Sequence, residues 1–128
     1  MTSQARLALR PVPASAADAR AFVDRTLGEW GCDELLDAAR LLVSELVTNA
    51  VLHARTEIEL LLHARGTGVR IAVRDRSPAT PVVRHYEDEA MTGRGLALVE
   101  ELAAQWGVDA HEDGKTVWFE LDEQPPRR

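Results

Sequence analysis

"SELVTNAVLHA" (residues 44–54) places two polar side chains, Glu45 and Asn49, one helical turn apart in an apolar run. Leu35, Leu36, Ala39, Leu42, Val43, Leu46, Val47 and Ala50 recur at helical spacing, which predicts a helix from about Asp33 to His53. On a wheel of ~100° per residue, Arg40, Ser44, Asp37 and Thr48 form a separate polar arc. Glu45 and Asn49 sit between Leu42 and Leu46 on one side and Leu41 and Leu52 on the other. A buried carboxylate or amide costs several kcal/mol unless it is paired. Two readings stand: a half-exposed helix face, which the wheel alone favours, or one wall of a pocket. In a pocket, Glu45 can accept a proton or hold an attacking hydroxyl. The Asn49 amide oxygen is a hard, neutral ligand of the kind Mg²⁺ takes beside water and phosphate oxygens.

Upstream, "RLALR" (6–10) alternates as a short strand ended by Pro11 and Pro13. Ser15 with Asp18 resembles a capping box, and Ala19, Phe22, Val23, Leu27 and Trp30 predict a first helix closed by Gly28 and Gly31. Downstream, "EIELLLHA" (57–64) and "VRIAVRD" (69–75) flank "RGTG" (65–68), a hairpin signature. Residues 76–92 hold two prolines and no clear period, which reads as a lid or binding loop. "GRGLALVEELAAQWG" (93–107) is predicted as a third helix with Leu96, Val99, Leu102, Ala103 and Trp106 on one face. "VDAHEDGKTVWFELD" (108–122) is a second hairpin, its Asp113-Gly114 pair a type I′ turn signal. The tail 123–128 is expected to fray. The resulting order, β-α-α-β-β-lid-α-β-β, favours a mixed or antiparallel sheet with helices on one face.

Two further places carry chemistry. Gly93 and Gly95 stand where the lid becomes a helix, so free backbone N–H groups there suit an anion. Arg94 is a cation at that N-terminus, unfavourable unless an anion binds. The alternative is a plain glycine turn capped by Thr92. Asp75 ends its strand and can accept a hydrogen bond from an exocyclic amino group such as that of adenine; a turn-forming aspartate is the competing reading. Thr116 on a neighbouring strand would add a hydroxyl, and Lys115 reads as a turn residue.

The 128 residues suit one domain. A net charge of −6 argues against non-specific nucleic-acid binding. Aromatics are only 5%, too few for base-stacking platforms. No apolar run reaches the ~18 residues of a membrane span. One cysteine, Cys32, excludes an intramolecular disulfide and a multi-cysteine zinc site. The four histidines lack metal-ligand spacing, and no nucleophile elbow is present. A cytoplasmic location, with no signal peptide, is expected.

In this order, "ELVTNAVLHA", a strand ending in Asp75 and "GRGLALV" after a lid resemble the GHKL (Bergerat-fold) ATPase superfamily. With "GKTVWFEL" the chain resembles the anti-sigma-factor serine/threonine kinase branch of actinobacterial type, over residues 6–122. The resemblance implies an α/β two-layer sandwich: a mixed, largely antiparallel sheet covered on one face by helices, with an ATP lid. It implies that Asn49 binds Mg²⁺ and that Glu45 is the catalytic base. Asp75 would recognise the adenine amino group, helped by Thr116. Gly93, Arg94 and Gly95, with Leu96 following, would hold the phosphates of ATP. The implied partners are an anti-anti-sigma protein phosphorylated on Ser or Thr and a sigma factor held inactive; many members form homodimers. One departure stands out. The superfamily's Asp-x-Gly-x-Gly box is here "DRSPA" (75–79), with Ser77 and Ala79 at the glycine places. Pro78 restricts Ser77 to extended conformations, so the pocket rim must be built differently. A module that regulates a partner by binding alone is therefore the second expectation.

Overall fold

The computed structural model describes residues 3–77 and 99–123. In chain order these form strand β1 (Gln4–Leu9), helix α1 (Ser15–Glu29), a short 3₁₀ turn (Asp33–Leu35) and helix α2 (Leu36–His53). Strands β2 (Ile58–Arg65), β3 (Gly68–Asp75), β4 (Gln105–His111) and β5 (Gly114–Asp122) follow. The strands make one sheet in the order β1-β2-β3-β5-β4, and every pairing is antiparallel. The fold is an α/β sandwich, as expected, but among the described strands the sheet is wholly antiparallel rather than mixed.

Period-two alternation decides which face each strand residue takes. Leu60 and Leu62 on β2, Ile71 and Val73 on β3, and Val117 and Phe119 on β5 are buried toward the helices. Val23 and Leu27 of α1 and Leu42, Val43, Leu46 and Val47 of α2 complete the same core. The antiparallel register stacks these into apolar rungs: Val69 pairs with Leu121, Ile71 with Phe119, and Val73 with Val117. The other face carries Arg70, whose guanidinium lies 4.1 Å over the Trp118 ring. Gly107 pairs with Trp118 across β4–β5, and a Cβ there would meet the indole at 2.8 Å. Glycine is thus what lets the Trp118 side chain lie flat on its neighbour strand.

The helix ends follow backbone accounting. At the end of α1, Cys32 N–H donates to Leu27 O at 2.9 Å and Gly31 N–H to Gly28 O at 3.2 Å, with Gly31 at φ 70°. This is a Schellman termination, and glycine at the left-handed position carries no Cβ penalty. Burial pushes the Cys32 thiol pKa up, and the Glu123 and Asp33 carboxylates add to it, so the thiol stays protonated and inert at neutral pH.

Four local expectations are corrected. Ser15 is not an N-cap: α1 begins at Ser15, and its hydroxyl donates to Arg10 O at 2.6 Å, tying the helix to the end of β1. The first strand covers Gln4–Leu9, not 6–10. The third helix does not reach residue 107. Residues 99–102 are helical, but Ala104 N–H already donates to Glu120 O at 2.8 Å, and Trp106 sits in β4 opposite Phe119. Trp106 reaches the core from a strand, so its helical spacing with Leu102 was coincidental; Leu102 itself is exposed. Finally, His111 pairs with Gly114, so the β4–β5 loop residues are Glu112 and Asp113. Neither has a positive φ, which a type I′ turn requires at both central positions. The β2–β3 turn does follow its glycine: Gly66, at φ 56°, is the first residue of a two-residue loop.

Candidate functional site

The apolar rungs between β3 and β5 end in an ionic one. Counting by twos from Ile71 and Val73 puts Asp75 on the helix-facing side, and counting back from Phe119 and Val117 puts Lys115 there too. The two residues are register partners. Their side chains are only 3% and 6% exposed, with Lys115 Nζ 3.7 Å from Asp75 Oδ2. Removing two charges from water is costly, and pairing offsets that cost.

Above this rung lies α2. Asn49 is 2% exposed, and with Leu46 and Ala50 it lines a small cavity closed below by Val73, Asp75, Lys115 and Val117. Asn49 and Asp75 therefore face the same space. Glu45, one turn earlier on α2, is half-buried. The opening ambiguity resolves at Asn49: its amide belongs to a pocket wall, not to an exposed helix face. Leu41 and Leu52, its other neighbours on the wheel, are exposed at 37% and 60%.

The rim of this space is held by hydrogen bonds where the resemblance expects glycines. Ser77 N–H donates to Asp75 Oδ1 at 2.9 Å, an Asx-type turn, and Ser77 Oγ donates to Ala54 O at 3.2 Å. Arg76 N–H donates to Thr56 Oγ1 at 2.9 Å. The bonds to Ala54 and Thr56 clip the end of β3 to the segment just after α2. That segment contains Arg55 at φ 57°, the one non-glycine residue with positive φ among the described residues.

Thr116 lies elsewhere. It pairs with Arg74 on the face away from the helices, and its Oγ1 is 3.2 Å from His111 Nε2. The structure does not bring it to Asp75. Lys115, read from sequence as a turn residue, occupies that place instead. Strand parity was the signal: a residue two before a buried Val117 shares its face. Gly93, Arg94, Gly95 and Leu96, and the lid from residue 78 to 92, lie outside the described residues.

Gly114 matters to the ionic rung. It sits at φ 149°, and a methyl group there would overlap the Asp75 carbonyl oxygen. Gly114→Ala is expected to destabilise the fold by about 1–3 kcal/mol and to displace Asp75. Urea unfolding checks the first effect, and nucleotide calorimetry on the folded fraction checks the second.

The donor set bears on a metal. Among the described residues no three His, Cys, Asp or Glu side chains gather into a metal cluster. A lone buried amide oxygen fits Mg²⁺ that keeps most of its coordination as water and phosphate oxygens.

A helix over an antiparallel sheet, with a buried amide and a buried carboxylate lining one small cavity, defines a two-layer α/β fold. The family model for the histidine kinase-like ATPase domain matches residues 9–121. The chain belongs to this family, whose membership implies ATP binding, usually with Mg²⁺. No curated protein matches the chain. Among the described residues no helix is long and apolar enough to cross a membrane.

Proposed function

We propose that this chain binds Mg-ATP and works as an anti-sigma factor with serine/threonine kinase activity on an anti-anti-sigma partner. The observation that carries the nucleotide site is the burial of Asn49 and Asp75 in one cavity, with Glu45 a turn away on α2. The kinase and partner assignments rest on the resemblance of "ELVTNAVLHA" and "GRGLALV" in a chain of this family.

Each residue then has a task. Asp75 accepts a hydrogen bond from the base. Asn49 holds the Mg²⁺, which when bound neutralises charge on the phosphate oxygens. Glu45 takes the proton of the partner's Ser or Thr hydroxyl as that oxygen bonds to the γ-phosphorus. The bond from the γ-phosphorus to its bridging oxygen breaks, and ADP leaves. Gly93, Arg94, Gly95 and Leu96 are assigned to the phosphates. A sigma factor held inactive and a homodimeric state belong to the same proposal.

A second reading is a regulator that binds a partner without catalysis. The Ser77 clip favours it, because a hydrogen-bonded rim replaces the expected glycines. Titration calorimetry with Mg-ATP, followed by phosphate transfer from labelled ATP to candidate anti-anti-sigma proteins, separates the two. The proposal expects micromolar binding and transfer. Binding without transfer to any partner selects the second reading, and absence of binding at high protein concentration removes both nucleotide roles.

A further inference from the structure

The nucleotide reading asks Asp75 to accept a hydrogen bond from the base, and that needs a carboxylate held in one orientation. Lys115 Nζ stands 3.7 Å from Asp75 Oδ2, beyond hydrogen-bond length, so it attracts the carboxylate without fixing its direction. Ser77 N–H donates to Oδ1 at 2.9 Å, and that bond does fix a direction. An ionised carboxylate carries about four lone-pair sites on its two oxygens, so accepting from Ser77 leaves capacity for a ligand N–H.

The donor is itself anchored. It belongs to the Arg76–Ser77 peptide, which is tied on both sides to the segment after α2. Arg76 N–H donates to Thr56 Oγ1 at 2.9 Å, and Ser77 Oγ donates to Ala54 O at 3.2 Å. Pro78 follows and confines Ser77 to extended conformations. Ala54 is the C-cap of α2, the helix that carries Asn49. The Ser77 hydroxyl therefore references Asp75 to the opposite wall of the cavity that Asn49 and Asp75 both line. A glycine at residue 77 would keep the N–H but lose the hydroxyl anchor and gain backbone freedom.

Resting on the nucleotide-binding reading above, we infer that Ser77 is a positioning residue that sets selectivity for the 6-amino group of a purine nucleotide. Its hydroxyl clip holds the N–H that orients Asp75 toward that group. Calorimetry on the full chain compares Mg-ATP with the Mg²⁺ complex of purine riboside triphosphate, which lacks only the 6-amino group. The wild type is expected to bind ATP about tenfold more tightly or better, the worth of a hydrogen bond to a charged acceptor. Ser77→Ala is expected to lower that preference by about threefold or more, through weaker ATP binding with the analogue held within about twofold. Ser77→Thr keeps the hydroxyl and is expected to keep the wild-type preference. Urea unfolding establishes that each variant is folded under the assay conditions. Equal losses for both ligands in Ser77→Ala would make Ser77 a purely structural residue and overturn the inference. An unchanged preference in Ser77→Ala, or a preference in Ser77→Thr as low as that of the alanine variant, overturns it as well. A wild type that binds both ligands equally overturns it and leaves the nucleotide site intact. Binding of neither ligand overturns the nucleotide reading itself, and the inference with it.

Discussion

Glu45→Gln is expected to slow phosphate transfer by about 10²–10⁴-fold, the usual contribution of a general base. The glutamine keeps the side chain's shape and its place on α2, so Mg-ATP affinity is expected to hold within about threefold. Glu45 is half-buried, and a near-isosteric change there leaves stability within about 0.5 kcal/mol. Single-turnover transfer from labelled ATP to the anti-anti-sigma partner gives the rate, and calorimetry gives the affinity. Equal rates in the wild type and the variant would remove Glu45 from the chemistry. A rate loss matched by an equal affinity loss would instead make it a binding residue.

Asp75→Ala carries the largest stability effect. It removes a carboxylate partner of Lys115, whose side chain is 6% exposed. Breaking a buried pair by deleting one member costs about 3–5 kcal/mol, because the remaining charge keeps its desolvation penalty. Mg-ATP binding is expected to be lost in the same variant. The double variant Asp75→Ala with Lys115→Met separates the two effects. Without either charge, most of the lost stability is expected to return, while nucleotide binding stays absent. Urea unfolding of the two single variants and the double one closes the cycle. If the losses of the two single variants simply add up to that of the double one, the ion pair contributes nothing to stability.

Outside the ionic rung, much of the architecture follows from local pattern. The stripe from Leu35 to Ala50 gives α2 to its last residue, and the glycine of "RGTG" marks the β2–β3 turn. The failures share one cause. The spacing of Leu102, Ala103 and Trp106 fits a helix, but it fits equally well a helix end running into a strand. A ladder bond from Ala104 to Glu120, made to a residue distant in the chain, chose the strand. Ser15 failed as a cap for a similar reason, since its hydroxyl bonds back to Arg10 rather than forward into the helix.

The candidate site divides in the same way. Glu45 and Asn49 were legible as a pair because a turn of helix is a local distance. Asp75 was legible as the last residue of a strand. What local pattern could not supply was which residue of β5 stands beside Asp75. Thr116, the hydroxyl expected there, and Lys115 are adjacent in the chain, so they point to opposite faces of the sheet. The pairing of Asp75 with Lys115, set by the register of β3 against β5, put the cation in the pocket and the hydroxyl outside it. The sequence by itself determined the elements, their order and the chemistry available on each. Only the tertiary structure decided which chemistry shares a cavity, because register and strand parity are fixed by burying the Val73–Val117 and Ile71–Phe119 rungs, and Asp75 and Lys115 follow those rungs inward.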